Sequence, residues 1–258
     1  MLNFSRISRS SVAGRALRAP LSFIPKGMPV WILQGKLRGY RWISNASTHG
    51  CWLGSYEMPK QTRFAAALQR NQVVYDVGAN VGFYSLLASA CVGPHGRVFA
   101  FEPLPENVAF IERHASLNHC SNISIQNVAV SAKSGQLRFQ RGASCETGRL
   151  SDDGNIPVTS LSLDEFVYTR GHPAPQVIKI DVEGAEELVL RGATQLLRHD
   201  PPIIFLATHS PQLHATCCEL LSSAGYRLEA ADGGKPELAD ELICFPESDA
   251  TLQAAIHR

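Results

Sequence analysis

From Asn71 onward, short apolar runs alternate with longer stretches in which apolar positions recur every three or four residues. Val73-Val74-Tyr75-Asp76-Val77, broken by one acid, reads as a buried strand. Gly78 to Gly82 predicts a tight turn and Phe83 to Cys91 a helix. Arg97 to Phe101 is a second strand, closed by Glu102-Pro103. Pro105 stands where a helix opens, because proline is tolerated in a first turn, and Glu106 to Leu117 continues it. Ile123 to Val130 is a third strand, Val177 to Ile180 a fourth and Ile203 to Ala207 a fifth. Helices are expected over Ala185 to Leu197 and Leu213 to Ser223, with a short extended Tyr226 to Leu228 after them. Alternating strand and helix predicts an α/β fold, a mostly parallel sheet with helices on both faces.

Two stretches break the alternation. Residues 131–160, with Gly135, Gly142, Gly148 and Gly154, predict a hairpin-like insertion. Ser162-Leu163-Asp164-Glu165 has capping-box spacing and predicts a short helix. Further on, Asp232-Gly233-Gly234 between Tyr226–Glu229 and Glu241–Phe245 predicts an antiparallel hairpin. The expected organisation is a flexible basic tail over 1–25, a lead-in segment over 26–70 and the α/β domain over 71–250.

Composition adds a charge asymmetry. The chain has 258 residues, with 24 Lys and Arg against 23 Asp and Glu. The first acid is Glu57; eight basic residues precede it, so 1–56 carries +8 and the remainder, 16 basic against 23 acidic, carries −7. Residues 1–20 are rich in Arg and Ser without acid, which reads as a tail or as an organelle-targeting segment. The seven cysteines are odd in number and without CxxC spacing, so reduced thiols and a cytoplasmic protein are expected rather than a zinc site or a disulfide framework. No apolar run reaches the ~18 residues of a membrane span. The tryptophans Trp31, Trp42 and Trp52 all lie in the lead-in and are expected to pack it onto the sheet. Nucleic-acid binding is not expected, because the basic charge is spread without a repeated motif; oligomeric state is left open.

Ligands of open parallel sheets bind at the carboxyl ends of the strands. The first strand ends in Asp76-Val77-Gly78-Ala79-Asn80-Val81-Gly82, the second in Glu102-Pro103 and the third near Val128. The fourth ends in Asp181-Val182-Glu183-Gly184 and the fifth in Thr208-His209-Ser210. Glu102 lies 20 residues past Gly82, the separation at which a carboxylate commonly meets ribose hydroxyls. A pyrophosphate would be repelled by the acid ahead of Gly78, whereas a cationic amino group suits it. S-adenosylmethionine, with its ammonium, sulfonium and ribose diol, is the expected cofactor. Asp76, Gly78, Ala79, Asn80, Gly82, Glu102, Pro103 and Val128 are its expected contacts. Asp181 or His209 would serve as base, with Glu183 and Glu186 shaping the substrate side; Lys179, two residues before Asp181, would pair with Asp181 or Glu186. No third ligand joins Asp181 and His209, so no metal is expected.

DVGANVGFYS (Asp76 to Ser85), FEP (Phe101 to Pro103) and KIDVEGAE (Lys179 to Glu186), in this order, resemble the FkbM family of S-adenosylmethionine-dependent methyltransferases. The resemblance spans roughly residues 53–230, including GSYE (Gly54 to Glu57), with LRGYRW (Leu37 to Trp42) upstream. It implies a Rossmann-like methyltransferase sheet with an antiparallel C-terminal strand. It also implies methylation of a hydroxyl on a sugar or natural-product-like small molecule. One departure stands out: the family's glutamate in E-x-H is here Ala207, ahead of Thr208-His209. A silent S-adenosylmethionine-binding module and a nucleotide-dependent oxidoreductase are the competing readings.

Overall fold

The computed structural model describes residues 21, 23–140, 149–150 and 153–247. The expectations for residues 1–20, for Gly142 and Gly148, and for Cys145 lie outside them. The lead-in forms a small antiparallel ribbon, β1 (Pro29–Trp31) with β2 (Arg41–Ile43), followed by helices α1 (His49–Leu53) and α2 (Met58–Ala67). The main sheet follows. It contains β3 (Val73–Val77), β4 (Arg97–Phe101), β5 (Ile123–Gln126), β10 (Val177–Ile180), β11 (Ile203–Ala207), β12 (Tyr226–Ala230) and β13 (Glu241–Pro246). Its order is β12-β13-β11-β10-β3-β4-β5. The five strands β11 to β5 run parallel; β13 is antiparallel to both β11 and β12. The chain first winds outward from β3 to β5 and then returns to β10, so the winding reverses between β3 and β10. Crevices at such reversals are where open parallel sheets bind ligands.

Helices α3 (Phe83–Val92), α4 (Pro105–Leu117), α5 (Glu186–Arg191), α6 (Thr194–His199) and α7 (Pro211–Ser223) connect these strands. A second sheet, order β6-β9-β7-β8, holds β6 (Ala129–Val130), β7 (Gly135–Gln140), β8 (Arg149–Leu150) and β9 (Ile156–Leu161). Its β7–β9 hairpin is the insertion anticipated from the glycines. Three expectations are corrected. The third strand stops at Gln126, because Asn127 turns to donate its amide to the carbonyls of Glu102 and Pro103, each at 2.9 Å. The helix expected over 185–197 is two short helices. They part at Gly192, where a side chain would sit 2.2 Å from the Ser131 carbonyl. The capping sequence at Ser162 does accept the Glu165 N–H at 3.2 Å, but the turn it opens, Glu165–Thr169, is π-helical.

The lead-in belongs to the sheet's own core. Ile32, Leu37, Trp42 and Ile43 share one buried cluster with Leu86 of α3 and Phe205 of β11. Trp42 stacks on the His114 ring of α4 at 3.9 Å. His114 Nδ1 lies 2.9 Å from the Val81 carbonyl, and its Nε2 accepts the Ile43 N–H at 3.0 Å. Both nitrogens are satisfied only by the neutral ring protonated on Nδ1, and burial lowers its pKa to about 4. Trp31 departs from expectation: it is 56% exposed, with the Arg41 guanidinium 4.5 Å above its ring.

Candidate active site

The strand ends surround a cavity of about 1120 Å³. Its floor is the turn after β3, where the N–H groups of Gly78 and Ala79 both donate to the Phe101 carbonyl. Gly78 has φ +77°, and a Cβ there would meet the Asp181 carbonyl oxygen at 1.9 Å, so glycine is required where the two strand ends touch. Asn80, at φ +50°, donates its N–H to Glu102 at 2.9 Å. Glu102 also accepts from the Leu104 N–H at 3.0 Å and from Asn107 at 3.2 Å. Burial nevertheless pushes its carboxyl up to about 7 against these three donors. Of the expected cofactor contacts, Gly78, Ala79, Asn80, Glu102, Pro103 and Val128 line the cavity.

Asp76 and Gly82 do not line it. Asp76 is one residue short of the strand end and points between sheet and α3. There it is fully buried, accepts the Ser85 hydroxyl at 2.6 Å and faces the Lys179 ammonium at 3.5 Å. Lys179 is its direct neighbour in the β3–β10 register. Gly82, at φ +89°, turns toward Ile111 of α4, which a Cβ would meet at 3.2 Å.

On the other side of the crevice, the ends of β10 and β11 place the candidate catalytic groups. Lys179 pairs with Asp181 at 3.6 Å as well as with Asp76, so its partner is not Glu186. Lys60 of α2, 6% exposed, reaches Glu241 at 2.8 Å, Asp181 at 3.3 Å and Glu57 at 3.5 Å. The Tyr84 ring lies under both ammonium groups, and its hydroxyl donates to Glu57 at 2.8 Å. Burial alone would raise the Asp181 pKa; Lys179, Lys60 and His209 outweigh it and hold the carboxyl at about 2. A group that acidic stays ionised and is a poor proton acceptor.

His209 is different. Its Nδ1 sits 2.8 Å from Glu186, while Nε2 lies 3.6 Å from Asp181 and 3.5 Å from Glu183. The bond to Glu186 raises its pKa first of all, burial opposes this, and the charges of Glu186, Glu183 and Asp181 add to the rise. Glu186 is fully buried at the start of α5 and also accepts the N–H groups of Val182 and Gly184 at 3.2 and 3.1 Å. The carboxylate missing at Ala207 is thus supplied from α5. Glu183, at φ +54°, and Gly184, at φ +105°, form the turn that brings Glu186 back under the ring.

Sequence reasoning missed Lys60 altogether. The sole signal was GSYE immediately upstream, which placed α2 in the family lead-in without pointing to a lysine. The structure also places Glu183 as the third ligand atom that the sequence reading lacked: Asp181, Glu183 and His209 offer donors within 4.8 Å of one another. Two lysines already compensate Asp181, which weakens this group as a cation site and fits it to a proton-handling role. Six cysteines among the described residues are free thiols. No helix among the described residues is long and apolar enough to cross a membrane.

A glycine-lined turn beside a buried carboxylate, with acids around it, fits a cationic ligand that carries a diol. The family model described as the methyltransferase FkbM domain matches residues 76–228. The hexuronic acid methyltransferase AglP of Haloferax volcanii is 31% identical over 132 residues, 50% of this chain and 53% of that protein. The 31-O-demethyl-FK506 methyltransferase FkbM of Streptomyces tacrolimicus is 28% identical over 164 residues, covering 62% of its length. The chain therefore spans between about half and three-fifths of the curated relatives it matches. Among solved structures, the methyltransferase FkbM of Methylobacillus flagellatus KT superposes with a TM-score of 0.50 at 19% identity, over 70% of this chain and 47% of that one, a likeness of fold.

Proposed function

The chain belongs to the FkbM methyltransferase family, whose cofactor is S-adenosylmethionine, and from that premise we propose that it methylates a hydroxyl of a sugar or natural-product-like small molecule, with His209 as the general base. The backbone of Gly78 to Asn80, with Glu102, Pro103 and Val128, would hold the cofactor. Glu102 is the acceptor for its ribose hydroxyls. When bound, S-adenosylmethionine supplies a methyl group on a positively charged sulfur, an electrophile that needs no further activation. The protein's task is to orient the attacking hydroxyl, remove its proton and keep water out.

The observation that carries this reading is the His209–Glu186 contact at 2.8 Å. Glu186 accepts from Nδ1–H, which leaves Nε2 as the nitrogen able to take a proton. Nε2 lies 3.6 Å from Asp181 and 3.5 Å from Glu183, and His209 lines the cavity. As the hydroxyl loses its proton to Nε2, the ring becomes an imidazolium facing Asp181, Glu183 and Glu186. Those charges favour the protonated ring, so proton transfer is assisted at the moment the oxygen attacks. Asp181, kept ionised by Lys60 and Lys179, acts as an electrostatic partner instead of a base.

The test pairs His209→Ala with Asp181→Asn and follows two readouts, S-adenosylhomocysteine binding by calorimetry and labelled-methyl transfer to a panel of hydroxylated acceptors. His209→Ala should keep cofactor affinity and lose about 10²–10⁴-fold in kcat. Full turnover by His209→Ala on an accepted substrate would remove the base assignment. Binding of NAD without any response to S-adenosylmethionine would overturn the whole reading.

A further inference from the structure

We propose that the stretch from Phe23 to Arg41 is a docking surface for anionic lipid bilayers. Among the described residues, seven large hydrophobic side chains are exposed, and four of them, Phe23, Met28, Trp31 and Leu33, fall between positions 23 and 33. Exposed apolar side chains scattered singly need no explanation, whereas a local group of them marks an interaction surface. Trp31 and Leu33 are 56% and 55% exposed two positions apart, flanking the buried Ile32. Ile32 anchors this stretch in the core, so the two side chains are held outward by a fixed backbone.

Along residues 21–56 every charged side chain is basic. Lys26, Lys36 and Arg38 are exposed, Arg41 lies over the Trp31 ring, and Arg113 of α4 donates to the Gly27 carbonyl at 3.4 Å. The first acid of the chain, Glu57, is turned inward to Lys60 and Tyr84 and does not offset them. Tryptophan, phenylalanine, methionine and leucine enter the boundary between headgroups and acyl chains, and lysine and arginine meet headgroup phosphates. A nucleic acid would match the cations and leave four apolar side chains without partners. A second copy apposing the same patch would bring like charges together. An anionic bilayer satisfies both halves of the surface.

The experiment is vesicle flotation of the full chain, with phosphatidylcholine alone and with added phosphatidylglycerol. The wild type should float with the anionic vesicles at low ionic strength and be released as salt screens the attraction. The double variant Trp31→Ala/Leu33→Ala should lower the partition coefficient by about tenfold. Lys36→Glu/Arg38→Glu should abolish the preference for anionic lipid. Both variants should keep wild-type S-adenosylhomocysteine affinity, which reports a folded site apart from any question of acceptor. Failure of the wild type to float, flotation unchanged in Trp31→Ala/Leu33→Ala, or tighter binding to RNA than to vesicles would each overturn the proposal.

Discussion

Three residues of the site have consequences that can be measured one at a time. Glu186 raises the His209 pKa, so the acidic limb of the kcat/KM profile should lie above the ordinary histidine value. Glu186→Gln removes the charge while keeping the size, and the limb should move to lower pH as kcat falls; a limb that stays in place would mean Glu186 does not act through His209. Glu102 is a carboxyl raised to about 7 by burial. Its protonated form is the better accommodated one, so it favours folding below its unfolded value, and that advantage is lost as pH rises through about 7. Hydroxyls donated by a ribose would stabilise the ionised form. Cofactor affinity should therefore increase as pH rises through about 7, and the dependence should vanish in Glu102→Gln, as titration calorimetry can show. At Gly78 the φ of +77° and the 1.9 Å approach to the Asp181 carbonyl act together. Gly78→Ala should cost roughly 2–4 kcal/mol of stability in denaturant unfolding and displace Asp181.

Elements were more legible than the contacts between them. The parallel strands, the glycine turn, the β7–β9 hairpin and the antiparallel ending follow from local period and turn chemistry. So do the strand-end residues Glu102, Asp181 and His209, since a strand's end is visible in sequence. That Asp76 is buried against α3 and does not line the cavity is not visible in the apolar run, which does not say on which side of the last residue the strand stops facing its helix. Lys60 and the Glu186–His209 pair were not legible at all. Each depends on how α2 and α5 seat against the sheet, over separations that no local pattern records. The lead-in's attachment is a case in point. His114 holds the Ile43 N–H as an acceptor, a bond lost when the ring takes a second proton. Its pKa of about 4 lies below the unfolded value, so stability is lost as pH falls from about 6.5 toward about 4, by roughly 3 kcal/mol. The urea midpoint should fall over that window in the wild type and much less in His114→Asn.

At the scale of the molecule, the cavity is an acidic compartment. Glu57, Glu102, Asp181, Glu183 and Glu241 line it against Lys60 and Lys179, in the part of the chain that carries the −7 balance. The positively charged donor should thus bind more tightly than its neutral sulfur product, with an advantage that shrinks at high ionic strength; calorimetry of the two ligands across salt checks it. Because lysines compensate Asp181, dialysis against EDTA should leave turnover unchanged, and a lasting loss restored by a divalent ion would reinstate the Asp181–Glu183–His209 group as ligands. The Lys60 clamp has a further consequence in time. It joins α2 to Asp181 across 121 positions, and to Glu241 across more. A growing chain contains the turn around Gly78 and Glu102 well before β13 has been made. Until β13 arrives, Lys60 lacks its nearest carboxylate, and the non-local contacts that complete the clamp are the slow ones to form. The contacts of the clamp around Asp181 should therefore be completed only once the chain has been made through β13.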